Sequence, residues 1–383
     1  MSQHDDQHPV TIDPLMDRQS RQSPSGNTPP PRPARPRGGG RNPRSLAGLV
    51  VALIVVVIGA VALGLGRGDS PDQPDDPNAG TSLATKKKVA VSDPANTALV
   101  RWVGGGLVDV VSIVPIGANG HTYEPIPADA MLVATADLYI ENGKGLNEAV
   151  SSFVRANYRP GTPDVVLADV IPGDEIIATD SAEQIAAHGH AHSFNAHFWT
   201  DPVYASLYVD RIATALEAID PANATTYRNR AQEFTSRMNA YDAAFRSAIA
   251  SIPAQNRKLV VYHDSWSYFG RRYGIPVIGA IQPVSFSEPS ADEVRRMINQ
   301  IRNEAVPAFF GSEVFPSDVL ESIASETGAT YYSDLSDEEL PGVAGTPEHS
   351  YEGMMIENVR LITSALGGDV SLLASLPLPE VIG

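Results

Sequence analysis

A chain of 383 residues with 43% hydrophobic side chains can bury one large core or two ordinary ones. Asp and Glu together number 45 against 28 Lys and Arg, a net charge of −17, and no basic stripe interrupts the excess, so nucleic acid is excluded as a partner. The absence of cysteine excludes disulfides, thiolate metal sites, a thiol nucleophile and a lipid anchor on an N-terminal cysteine.

Residues 1–45 carry seven Arg and four Asp among runs of Pro, Ser, Gln and Gly. Such a composition buries too little apolar surface to offset its ordering entropy, which predicts a disordered tail. Leu46 to Gly66 is 21 residues without a charge. As a helix it spans the roughly 30 Å hydrocarbon layer. Arg41 and Arg44 precede it and an acidic stretch from Asp69 to Asp76 follows, so the tail is expected in the cytoplasm and all that follows outside. A cleaved signal peptide, with Ala60-Val61-Ala62 as its small-residue site, is the competing reading. Residues 67–85, rich in Pro and Asp, read as a linker.

The globular part starts at residue 86 with a short strand at Lys88–Val91. A helix from Pro94 to Val103 ends at Gly104-Gly105-Gly106, and a strand from Val108 to Val114 leads into the loop that carries His121. A helical pattern at Met131–Ala136 precedes strands at Leu138–Ile140 and Val165–Leu167. Strands alternating with helices predict a parallel sheet covered on both faces. Beyond Asp201-Pro202, apolar residues recur at helical spacing to Ile219. After Asp220-Pro221 a second helical pattern runs through Tyr227, Phe234, Met238, Tyr241 and Phe245. A second series of strands then begins at Lys258–Tyr262 and continues at Pro276–Gly279, Ala308–Gly311 and Thr330–Tyr332. The expected fold is α/β. It has two parallel-sheet lobes (86–220 and 257–383) joined by one long linking helix (221–252), with an N-terminal transmembrane helix (46–66). No internal sequence repeat is visible.

His121, His197 and His263 lie far apart in the chain, each beside a predicted strand end or helix start. In a chain without cysteine, imidazole with carboxylate is the natural donor set for zinc. Asp334, just past the strand at Thr330–Tyr332, is the best carboxylate to complete the shell, although an Asp there also suits a helix N-cap. His188, His190 and His192, spaced by Gly and Ala, form either a loop that catches metal weakly or a solvated surface loop. His4, His8 and His349 are assigned no site.

The motifs resemble those of the metal-binding substrate-binding proteins of zinc and manganese ABC importers, from about Lys86 to Gly368. They include Val114-Pro115-Ile116-Gly117 with His121-Thr122-Tyr123-Glu124-Pro125, and Leu138-Tyr139-Ile140-Glu141-Asn142-Gly143. His197-Phe198-Trp199-Thr200-Asp201-Pro202, His263-Asp264-Ser265-Trp266 and Tyr351-Glu352-Gly353-Met354 follow in order. The resemblance implies two lobes holding a metal between them, with His121, His197, His263 and Asp334 as its ligands. It also implies a monomer that docks on a membrane permease with a cytoplasmic ATPase. Histidine rather than carboxylate at 263 points to Zn²⁺, with Mn²⁺ as the alternative cargo. The chain departs from the pattern in having Gly120 and Ala196 where proline usually precedes the first two histidines. It also lacks the lipidated cysteine, which the 46–66 helix would replace.

The expected function is therefore extracytoplasmic capture of Zn²⁺ for import. Two other classes stay open. One is an anchored adhesion protein with a structural metal. The other is a zinc hydrolase using Asp264 or Glu124 as base, although neither a His-Glu-x-x-His nor a Gly-x-Ser-x-Gly motif is present.

Overall fold

A computed structural model describes residues 85–179, 193–282, 289–312 and 318–376. The tail at 1–45, the apolar segment at 46–66, the linker up to residue 84 and the His188–His192 loop lie outside the described residues. Among the described residues, no helix is long and apolar enough to cross a membrane.

The chain opens with strand β1 (Lys87–Val91) and helix α1 (Pro94–Gly104). Asp93 caps α1 by accepting the Asn96 N–H at 2.9 Å, Pro94 occupies the first turn, and Gly105 ends the helix at φ +49°. Strands β2 (Val108–Ser112), β3 (Leu138–Glu141) and β4 (Asp164–Val166) complete a parallel sheet of order β2-β1-β3-β4. Its central strand pairs Ala90 with Val111 on one side and with Tyr139 on the other. Helices α2 (Pro127–Ala134) and α3 (Glu148–Asn157) bury Val133, Val150 and Val154 beside Ala90, Val114 and Tyr139.

Helix α4 (Pro202–Ile219) follows, capped by Asp201, and then α5 (Ala224–Ser251), the long helix predicted from the apolar spacing. At 28 residues α5 is about 42 Å long. Its buried stripe of Tyr227, Ala231, Phe234, Met238, Tyr241, Phe245 and Ala248 keeps the 3.6-residue period throughout.

The second lobe repeats the plan. Strands β5 (Leu259–His263), β6 (Val277–Gln282), β7 (Ala308–Phe310) and β8 (Thr330–Tyr332) pair in parallel in the order β6-β5-β7-β8. Between and after them come α6 (Ser267–Tyr273), α7 (Ala291–Asn303), α8 (Asp318–Thr327) and α9 (Tyr351–Ala365). Both lobes thus share one strand order, a repeat of structure without a repeat of sequence.

The main core runs without interruption from Val89, Leu99 and Ile140 of the first lobe, through Phe198, Tyr208 and Phe234, to Val261, Phe310 and Met355 of the second. Smaller clusters fill the far face of each sheet, around Tyr139 in one and Phe309 in the other. Phe234 on α5 touches Trp102 of α1 and Tyr351 of α9, with ring centroids 5.7 and 5.6 Å away. The long helix is therefore a shared spine between the lobes rather than a tether.

Candidate metal centre

His263 and His121 emerge at or beyond the carboxyl end of a strand, where open parallel sheets place ligands, and His197 stands just ahead of a helical turn. His263 is the last residue of β5 and pairs with Gln282 in the register of the sheet. His121 lies in the loop after β2. The Asn119 side chain fastens that loop by accepting the His121 N–H at 2.8 Å and the Thr122 N–H at 2.9 Å. His197 precedes a single 3-10 turn (Phe198–Thr200) that leads into α4, and the Thr200 hydroxyl donates to the His197 carbonyl at 2.9 Å.

These local devices bring the rings together. His197 Nε2 lies 3.0 Å from His121 Nε2 and 3.0 Å from His263 Nε2. The fourth group is Glu338, whose Oε1 is 3.2 Å from His121 Nε2. One donor atom from each of the four residues falls within 4.8 Å of the others. Zinc bonds of 2.0–2.1 Å in a tetrahedron imply donor separations of about 3.3 Å. The three shortest separations, 3.0, 3.0 and 3.2 Å, lie within a few tenths of an ångström of that value. His197, His263 and Glu338 are buried, and the His121 side chain keeps 13% exposure, leaving one edge of the centre open.

Two asparagines set the orientation of His197. Asn195 Oδ1 accepts from His197 Nδ1 at 3.0 Å, and the Asn195 amide donates to the Asp264 carbonyl at 2.7 Å, which fixes which end of the carboxamide faces the ring. His197 Nδ1 therefore carries its proton, and Nε2 presents a lone pair to the centre. Asn142 donates to the Ala196 carbonyl at 2.9 Å while its oxygen accepts from Tyr208 at 3.1 Å.

Asp334, the carboxylate expected to complete the shell, does not join the cluster. It is exposed and accepts the hydroxyl of its neighbour Ser333 at 2.8 Å. No helix follows that it could cap. The physical reason lies in what holds the next five residues. Asn358 bonds both the N–H and the carbonyl of Ser336, at 2.9 and 2.5 Å, and Trp199 donates to the Asp337 carbonyl at 2.7 Å. Ser312 caps the Asp337 carboxylate at 3.0 Å. Pinned this way, the chain after β8 turns Glu338 inward, where Oε2 accepts the Gly120 N–H at 2.7 Å, and Glu339 accepts the Gly117 N–H. Asp337, Glu338 and Glu339 follow Asp334 closely in sequence, and no periodicity distinguishes the one that faces the centre.

The electrostatics suit a cation. Burial, reinforced by His263 and His121, pushes His197 well below the usual histidine range, so its ring is neutral at pH 7. Burial alone would raise Glu338, but the hydrogen bond and charge of His121, the Gly120 N–H and the charge of His263 outweigh it and hold the carboxyl below its ordinary value. The hydrolytic bases considered from sequence are placed otherwise. Asp264 is occupied by the Ser267 hydroxyl at 2.7 Å, and Glu124 is exposed.

The sequence profile described as zinc-uptake complex component A, periplasmic, matches residues 89–365. The iron-binding protein YfeA of Yersinia pestis is 28% identical over 302 residues, which cover 75% of this chain and 93% of that protein. The manganese-binding lipoprotein MntA of Halalkalibacterium halodurans is 24% identical over 315 residues, covering 82% and 97%. Among solved structures, the periplasmic zinc-binding protein TroA from Treponema pallidum matches with a TM-score of 0.65 at 26% identity, over 73% of this chain and 99% of that one.

Proposed function

The chain belongs to the zinc-uptake component A family of metal-binding proteins that serve ABC importers, and from that premise we propose that it captures Zn²⁺ outside the membrane on His121, His197, His263 and Glu338. The family consists of solute-binding transport components rather than enzymes, and its role implies a permease with an ATPase as partners. The observation that carries the zinc assignment is the donor set: three imidazole nitrogens around one carboxylate. Imidazole suits zinc, whereas manganese favours shells built from oxygen. With one negative charge among the donors, the loaded centre carries +1, little charge to bury.

Relatives are named for iron and manganese as well as zinc, so selectivity is the property to measure. Competitive titration of the purified chain against a chromophoric chelator, with Zn²⁺ and Mn²⁺ in turn, is the test. One zinc per chain, held at least tenfold more tightly than manganese and lost in His121→Ala or His263→Ala, is the expected outcome. Preference for manganese would retain metal capture and remove the zinc assignment. Binding that survives both substitutions would move the centre elsewhere.

In this reading the segment at 46–66 holds the binding unit at the membrane, in place of a lipidated cysteine. Metal loading calls for only a small adjustment between lobes, because one continuous core and α5 span them both.

A further inference from the structure

The two oxygens of Glu338 have different partners. Oε1 points to the side where the imidazoles converge, 3.2 Å from His121 Nε2, and Oε2 accepts the Gly120 N–H at 2.7 Å. That donor belongs to the backbone, so it cannot swing aside as a side-chain donor can. It is also firmly placed, because the Gly120 carbonyl accepts from the Asn147 amide and Asn119 ties the following two residues. Gly120 is not among the glycines with a left-handed φ, so backbone conformation does not explain its identity. Space does: a Cβ at this position would sit 2.9 Å from Glu338 Oε2.

We propose that Gly120 is a specificity-determining residue, whose N–H occupies one oxygen of Glu338 and so restricts that carboxylate to a single donor atom. The proposal rests on the assignment of the four residues as the metal centre. With Oε2 engaged, the centre offers three nitrogens and one oxygen. Four donors satisfy Zn²⁺, which has no preference arising from its d electrons. Mn²⁺ prefers six-donor, oxygen-rich shells. Four residues reach a fifth donor most easily through a carboxylate binding with both oxygens, and the charge-assisted bond from Gly120 opposes that change. Gly120 thus acts through Glu338, as a positioning residue, and acts on the choice of ion.

X-ray absorption at the zinc edge, on the full chain loaded with one equivalent of Zn²⁺, reads the coordination number directly. Four nitrogen or oxygen neighbours at about 2.0–2.1 Å are expected. A shell of five or more would overturn the proposal and leave zinc capture standing, whereas a chain that binds no zinc would overturn the assignment beneath it.

Two substitutions test the donor itself. Gly120→Pro removes the N–H, and Gly120→Ala keeps it while placing a Cβ 2.9 Å from Glu338 Oε2, so that the pair separates loss of the donor from crowding of the oxygen. Outer-shell partners of metal ligands are worth about 10–100-fold in affinity. The proline variant should therefore contract the zinc-to-manganese affinity ratio by at least about tenfold, and the alanine variant, which crowds Oε2 but keeps the N–H, by clearly less. Equal contraction in both variants would reduce Gly120 to a matter of space and overturn the proposal, as would an unchanged ratio in the proline variant. Circular dichroism reports whether each variant folds. If the proline variant does not, the coordination number of the unaltered chain decides.

Discussion

Asn195 Oδ1 accepts twice from His197, from ring Nδ1 at 3.0 Å and from the backbone N–H at 3.1 Å. A single carboxamide thereby fixes both the tautomer and the place of the most deeply buried imidazole. Asn195→Ala should weaken zinc binding by about 10–100-fold, the usual cost of losing an outer-shell partner, with an unchanged circular dichroism spectrum. Asn195→Asp keeps an acceptor at Nδ1 and should retain most of the affinity. Equal losses in both variants would mean that the side chain serves the loop rather than the ring.

The carboxylate assignment separates two residues four apart in sequence. Glu338→Gln should cost more than about 100-fold in zinc affinity, exceeding an outer-shell loss, because it removes a charged donor from the centre. Asp334→Asn should stay within about twofold, since that side chain is exposed and faces Ser333. Isothermal titration in competition with a chelator resolves the pair. The reverse pattern would return the fourth ligand to Asp334.

Acid should release the metal and loosen the empty protein, for related reasons. Protons compete for the imidazole nitrogens, so zinc affinity should fall as pH drops from 7 to 5. In the metal-free chain His197 titrates below its ordinary value of 6.5. The unfolded chain therefore takes up that proton first, and stability declines as pH falls below about 6.5. Glu338, held below 4.5, contributes stability that is present above that value and lost as pH falls through its lower folded value. Thermal melts with chelator present should thus show a midpoint falling continuously from pH 7 to 4. Glu338→Gln should flatten the lower part of that curve, and a parallel curve would refute the role given to Glu338.

The spine offers a test of stability apart from the metal. Phe234 is fully buried between Trp102 and Tyr351. Phe234→Ala should cost about 3–5 kcal/mol in denaturant unfolding, through lost burial and the cavity left behind. Zinc affinity of the folded variant should stay within about threefold, because Tyr351 and Trp199 stand between Phe234 and His197. A large loss of affinity would show that the spine transmits strain to the centre.

Much of the framework can be read from the chain. The predicted strands at Lys88–Val91, Leu138–Ile140 and Thr330–Tyr332 coincide with β1, β3 and β8 to within a residue, because short apolar runs between turn residues have few other uses. The stripe from Tyr227 to Phe245 marks α5 by its period alone. Between Gly143 and Val165 the sequence pattern predicts no element, yet α3 lies there. That helix has only Val150, Ser151 and Val154 buried, too short a stripe to stand out. The common strand order of the two lobes also escapes notice, since parallel pairing and crossover handedness specify topology without specifying residues.

By itself, then, the sequence determined the classes of element, the placing of three histidines at their ends, and a cysteine-free donor chemistry, because local periodicity and residue type carry those properties. Tertiary structure alone decided which carboxylate meets the histidines. Asp334 and Glu338 are chemically near-equivalent and four residues apart in an aperiodic loop. What separates them is reach: Asn358 and Trp199 hold the loop so that only Glu338 arrives at the Gly120 N–H. The same holds for Asn195 and Asn142, ordinary polar residues in the sequence, whose work is defined by the imidazole and the carbonyl that folding sets beside them.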